Sequence, residues 1–176
     1  MTLNPNNTDA HSKDLRKHRR IEKPGTFFVT KCLQPRKPVL ISTGIASEII
    51  NTLKFSVDKN RIHLAAFVVM PDHWHTLFGV HQNFTLPKVM NAINSWIGNQ
   101  TFKILEGQNV CWQDGYHDTR IRSGKQFSYV WHYIENNPVE KELVVNAKDW
   151  QWSSANTQYE AILTRPWPWG FEKDVK

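Results

Sequence analysis

The chain has 176 residues, 40% of them apolar, enough for one domain with a buried core. No window of 18 consecutive apolar residues is present, and the first twenty residues lack the apolar run of a secretory signal. The sequence alone therefore predicts a cytoplasmic protein that does not span a membrane. The net charge is +6, and its two cysteines, Cys32 and Cys111, are too few and too far apart for a disulfide framework or a close metal pair.

The positive charge is concentrated. Between His11 and Lys23 stand Lys13, Arg16, Lys17, Arg19, Arg20 and Lys23, against only Asp14 and Glu22. Residues 1–23 read as a flexible basic arm, either a solvated tail or a contact for a polyanion such as nucleic acid. A first strand is expected in "GTFFVTKCL" (25–33). "GIASEIINTLKFSVDKN" places Ile45, Ile49 and Leu53 at four-residue spacing and predicts an amphipathic helix. Two strand-like runs, "IHLAAFVVMP" and "HWHTLFGV", are separated at Pro71-Asp72. Thr85 is expected to cap a helix with Pro87 in its first turn and Val89, Ile93, Trp96 and Ile97 on its apolar face. "VCWQDGYHDTRIR" suggests one or two short strands. A third helix is expected over 124–137, stopped by Pro138. Residues 156–176 read as an irregular aromatic tail, leaving 24–155 as the folded domain. Strand, helix, strand, strand, helix, strand, helix predicts an α+β fold: a ferredoxin-like antiparallel sheet with helices packed on one face.

Within "VVMPDHWHTLFGV" (68–80) a buried strand carries two histidines. Side chains alternate along a strand, so His73 and His75 project together, opposite Trp74. Two adjacent imidazoles begin a divalent-metal site but need a third ligand. The third helix places Tyr133 and Asn137 at i and i+4, on one face. Tyr133 lies about 110° and Asn137 about 70° from the centre of the stripe made by Phe127, Val130, Trp131 and Ile134. Taken alone, the pair could equally be a tyrosine at the core edge and a C-terminal asparagine.

"PDHWHTLF", "YIENNPVEKELV" and "DWQWSSA", with Cys111-Trp112-Gln113 and Arg120-Ile121-Arg122 in order between them, resemble the REP-associated tyrosine transposases, relatives of the single-tyrosine HUH transposases. The resemblance covers roughly residues 25–155. It implies a tyrosine nucleophile at Tyr133, with Tyr129 and then Tyr116 as alternatives. It implies His73, His75 and Asn137 as ligands of Mg²⁺ or Mn²⁺. The reaction it implies is cleavage and rejoining of single-stranded DNA beside hairpin-forming palindromic repeats, through a 5′-phosphotyrosine intermediate, by a monomer or homodimer near the bacterial nucleoid. The second helix carries only Lys88 and Lys103, so DNA contact is expected from Arg16, Arg19 and Arg20 of the arm and from Arg120, Arg122 and Lys125. Two rival readings are a non-catalytic hairpin-binding relative and a metal-dependent phosphodiester hydrolase that needs no tyrosine.

Overall fold

The computed structural model describes residues 24–41, 44–106, 112–165 and 167–168; the arm, with Arg16, Arg19 and Arg20, lies outside the described residues. Strands β1 (Thr26–Cys32), β2 (Ile62–Val69), β3 (His73–Val80) and β4 (His117–Arg120) alternate with helices α1 (Ile45–Asp58), α2 (Leu86–Ile104) and α3 (Gly124–Glu140). The sheet runs β2-β3-β1-β4, every pair antiparallel. This is the expected ferredoxin-like βαββαβ arrangement with a third helix added.

One face of the sheet is covered by α1 and α2. Phe27, Val29, Leu64, Phe67, Val69, Trp74, Phe78 and Val80 point that way and meet Ile45, Ile49, Leu53, Val89, Ile93 and Ile97. The expectation of one helical face holds for these two helices. The third takes the opposite face, where Phe127, Val130 and Ile134 of α3 close over Ala65, Ala66, Val68 and Leu77. The sheet is therefore sandwiched along β2 and β3, which explains why every residue of β3 is buried and the strand shows no apolar–polar alternation. A register shift between Leu64 and Ala66 adds one residue to β2. It resets the alternation, so Phe67 and Val69 join Ile62 and Leu64 on the α1–α2 side.

Three local expectations change. Helix α3 does not stop at Pro138 but continues to Glu140. A proline removes one N–H and crowds the carbonyl a turn before it, but here the last turn is still closed: Lys141 N–H donates to Asn137 O (3.1 Å) and Leu143 N–H to Pro138 O (2.9 Å). Thr85 occupies the start of α2 in extended backbone, but its side chain makes no capping hydrogen bond among the described residues. Trp96 is 54% exposed rather than in the core. It lies about 80° from the centre of the buried stripe of α2, at the rim of a groove against Phe55 of α1.

The segment after α3 returns along the free edge of β2. Val69 N–H donates to Trp152 O, Ser154 N–H to Phe67 O, and Thr164 N–H to Leu64 O, at 2.8, 2.9 and 2.8 Å. These bonds cover an edge that would otherwise present open backbone groups to a second chain. Trp167 then packs on Phe127, ring centroids 5.3 Å apart, and Arg165 stacks 3.8 Å over Trp131. Part of the stretch expected to be an irregular tail thus belongs to the folded unit. No helix among the described residues is long and apolar enough to cross a membrane.

Candidate active site

Because β3 is central and α3 lies over it, the odd-numbered side chains at the start of β3 face α3. His73 and His75 stand side by side, ring centroids 4.7 Å apart, while Trp74 enters the α1–α2 core. Tyr133 of α3 comes down beside them, its ring 5.5 Å from that of His75. Phe28, from the neighbouring strand β1, meets the His75 ring at 5.4 Å and the Tyr133 ring edge-on at 6.0 Å. Asn137, one turn after Tyr133, is 2% exposed.

Burial governs the protonation of this cluster. It pushes the His75 imidazole well below its usual value, and the neighbouring His73 and Arg36 push the same way. His73 is also lowered by burial, although the Asp72 carboxylate pulls it back up. Both rings are neutral, the form that can donate a lone pair to a metal. The Tyr133 phenol is raised, chiefly by burial, with the Asn137 side chain holding it down and Glu140 and Tyr129 adding to the rise.

The donor set fits a divalent cation. His75 Nε2 and Asn137 Oδ1 are buried side-chain atoms with no hydrogen-bond partner among the described residues, although burying such atoms unpaired is costly. Among the described residues no cluster of three or more His, Cys, Asp or Glu is placed to hold a metal; the further buried oxygen donor that α3 offers is the Asn137 amide. Two imidazoles and an amide add no negative charge and leave the field of a bound cation undiminished.

Of the other tyrosines, Tyr129 is 71% exposed one turn before Tyr133. Tyr116 is buried in the α1–α2 core, away from the histidines. The structure separates the DNA-contact candidates as well. The Arg120 guanidinium lies over Phe27 at 5.7 Å and donates to Pro24 O at 2.9 Å, on the α1–α2 side of the sheet. Arg122 and Lys125 are exposed where β4 leads into α3. Sequence reading missed Thr30, whose Oγ1 is 2.8 Å from His75 Nδ1, and Asp72, whose Oδ1 is 2.5 Å from His73 Nδ1. It also missed Phe28 and Arg36. Asp72 adjoins a histidine in the chain and was findable; Thr30 and Phe28 reach the site only through strand pairing.

Two neutral, buried histidines give an expected pH dependence of stability. Their folded-state values lie below the unfolded value of 6.5, so an unfolded chain takes up protons that the folded one refuses. The stabilisation is complete above that value and is lost as pH falls through it, by up to about 1.4 kcal/mol per pH unit for each proton. Thermal melts of metal-free protein should show this loss, and it should shrink in His75→Gln. A melting temperature flat between pH 7 and 5 would contradict it.

A REP-associated tyrosine transposase, solved bound to a REP hairpin, superposes on this chain with a TM-score of 0.66 at 23% identity, over 85% of this chain and 88% of its own. A candidate transposase from Deinococcus radiodurans R1 aligns over 67% of this chain and 94% of its own, at 22% identity and a TM-score of 0.48. Comparison with curated proteins finds no match. The fold is that of the hairpin-bound transposase. Residues 27–137, which hold β2, β3, β4 and all of β1 but Thr26, together with the His pair, Tyr133 and Asn137, match the family described as IS200-like transposases, and this chain belongs to that family.

Proposed function

We propose that the chain is a REP-associated tyrosine transposase that cleaves and rejoins single-stranded DNA beside a hairpin, using Tyr133 as nucleophile. The observation that carries this reading is the Tyr133 ring 5.5 Å from the His75 ring on the sheet face under α3, with His75 Nε2 and Asn137 Oδ1 each buried and unpaired among the described residues. Membership of the transposase family supports strand transfer as the reaction class. The fold shared with a transposase bound to a REP hairpin supports hairpin DNA as the partner.

The chemistry follows from the residues. Tyr133 Oη forms a bond to the scissile phosphorus as the bond from phosphorus to the 3′ oxygen breaks. The phenolic proton passes to solvent and the departing 3′ oxygen takes one up, leaving a 5′-phosphotyrosine and a free 3′-hydroxyl. The new ester retains the bond energy, so a second 3′-hydroxyl can reverse the step without ATP. His73, His75 and Asn137 are the residues that would hold Mg²⁺ or Mn²⁺. Such an ion supplies Lewis-acid polarisation of the phosphate, which offsets the repulsion between its oxygens and an attacking phenolate. Phe28 holds the Tyr133 ring edge-on and restricts where its hydroxyl can swing. The Tyr133 phenol, raised chiefly by burial, is protonated at neutral pH and has to lose its proton as it attacks.

The test is incubation of the protein with end-labelled hairpin DNA and Mn²⁺. A covalent protein–DNA adduct that survives denaturation is expected, and its absence with free cleavage products would reject the tyrosine mechanism. The basic arm has a separate test. Deleting residues 1–23 should weaken hairpin binding and make log affinity fall less steeply with log salt. The slope should shrink by about 0.7 for each single-strand phosphate that the arm had neutralised. An unchanged slope would assign the arm no role in binding DNA.

A further inference from the structure

The hydrogen bonds of both site imidazoles run through Nδ1, and the one at His73 is the shorter. His73 Nδ1 lies 2.5 Å from Asp72 Oδ1, and Arg36 Nη1 approaches the same nitrogen at 3.4 Å. These two contacts cannot both be hydrogen bonds. A carboxylate only accepts and a guanidinium only donates, so the short contact places the proton on Nδ1 and leaves Arg36 facing another donor. Arg36 instead pairs with the second carboxylate oxygen, Asp72 Oδ2, at 3.3 Å. Asp72 thus has each carboxylate oxygen engaged.

The backbone around Asp72 is held as firmly. Pro71 and Asp72 form the tight turn between β2 and β3, closed by Met70 N–H donating to His73 O at 2.8 Å. The loop after β1 grips that turn from outside. Leu33 N–H donates to Asp72 O and Leu40 N–H to Pro71 O, each at 2.9 Å. The same loop carries Arg36, whose Nη2 also contacts Cys32 Sγ at 3.3 Å. A surface turn with an ordinary aspartate needs none of this bracing.

We infer that Asp72, locked by Arg36 and the 33–40 loop, is the positioning residue that fixes His73 in the Nδ1–H tautomer and presents its Nε2 lone pair to the metal site. The inference rests on the metal-site reading proposed above. An imidazole without such a partner is free to rotate and to place its proton on Nε2, where it would block coordination. Asp72 touches neither substrate nor metal in this role; it acts through His73. The pairing also explains why an acidic residue sits beside a site that must accept a phosphate. Its charge is taken up by Arg36 and the imidazole N–H, so it does not repel the DNA.

The experiment uses the full chain with Asp72→Ala and Asp72→Asn, and two readouts. Nitrogen-15 NMR of metal-free protein at pH 8 reports the His73 tautomer directly. The Nδ1–H form is expected in the wild type and in Asp72→Asn, whose amide oxygen still accepts, and the Nε2–H form should gain in Asp72→Ala. Calorimetric titration with Mn²⁺ should show affinity about 10–100-fold weaker in Asp72→Ala, with Asp72→Asn between it and the wild type. A destabilised but folded protein would not move the tautomer, and Asp72→Asn keeps the test open if the alanine variant fails to fold. An unchanged His73 tautomer in Asp72→Ala, or Mn²⁺ affinity equal to wild type, overturns the inference. If wild-type protein takes up no Mn²⁺, the metal-site reading fails and this one with it. If the wild type binds and Asp72→Ala binds equally, only this one fails.

Discussion

Tyr133→Phe is expected to abolish the covalent protein–DNA adduct and strand cleavage together while leaving the fold and hairpin binding intact. The substitution removes one oxygen. The ring keeps its edge-on contact with Phe28 at 6.0 Å and its approach to His75 at 5.5 Å, so the packing that seats α3 on the sheet is retained. Loss of the hydroxyl's polar interaction with the Asn137 side chain should cost about 1 kcal/mol at most, because Tyr133 is only half-buried and water can replace it. Binding persists because phosphate contacts and base stacking supply affinity and the phenol does not. Catalysis does not persist, because no attacking atom remains. Deleting a nucleophile elsewhere costs on the order of 10⁴-fold or more in rate. Tyr129→Phe and Tyr116→Phe are the controls, one on the solvent side of α3 and the other in the opposite core, and both should still cleave. The measurement is a denaturing gel with end-labelled hairpin DNA and Mn²⁺. An adduct in Tyr133→Phe but not in Tyr129→Phe would move the nucleophile one helical turn. Cleavage without adduct in all three variants would replace the tyrosine mechanism by a metal-dependent hydrolase. Binding without cleavage in the wild type would make the chain a hairpin-binding relative.

His75→Ala should be nearly as damaging to cleavage by a different route. The ring is 5% exposed and its Nε2 is unpaired among the described residues, so its removal deletes a donor of the proposed metal site. Mn²⁺ binding by calorimetry and adduct formation are both expected to fall below detection, and excess metal should not restore them. The truncation also leaves a hole against Phe28 and Tyr133 and strands the Thr30 hydroxyl, costing about 1–3 kcal/mol of stability. His75→Gln separates the two effects: it fills most of the volume and should recover stability more than it recovers metal affinity. Wild-type Mn²⁺ affinity in His75→Ala would remove the histidine pair from the site.

Much of this site is written in local order. Alternation along a strand places His73 and His75 together and Trp74 opposite, and four-residue spacing on a helix places Tyr133 over Asn137. Both relations involve neighbours in the chain and need only the two backbone periods. The ferredoxin-like core was legible for the same reason, since the order of strands and helices leaves few ways to pair them. Pro138 shows the limit of a local rule: its effect on α3 depended on hydrogen bonds made after it. Trp96 shows another, because the edge of an apolar stripe is buried only if a neighbouring element extends over it. Which sheet face receives α3 was decided by tertiary packing, where Phe127, Val130 and Ile134 found Ala65, Ala66, Val68 and Leu77 on the side left open by α1 and α2. Strand pairing set Thr30 opposite His75 and carried Arg120 to the far side of the sheet from the histidines. The protonation of the site was decided there too: periodicity can put two imidazoles on one face, but only the layers closed around them remove the water that would otherwise let them take up a proton.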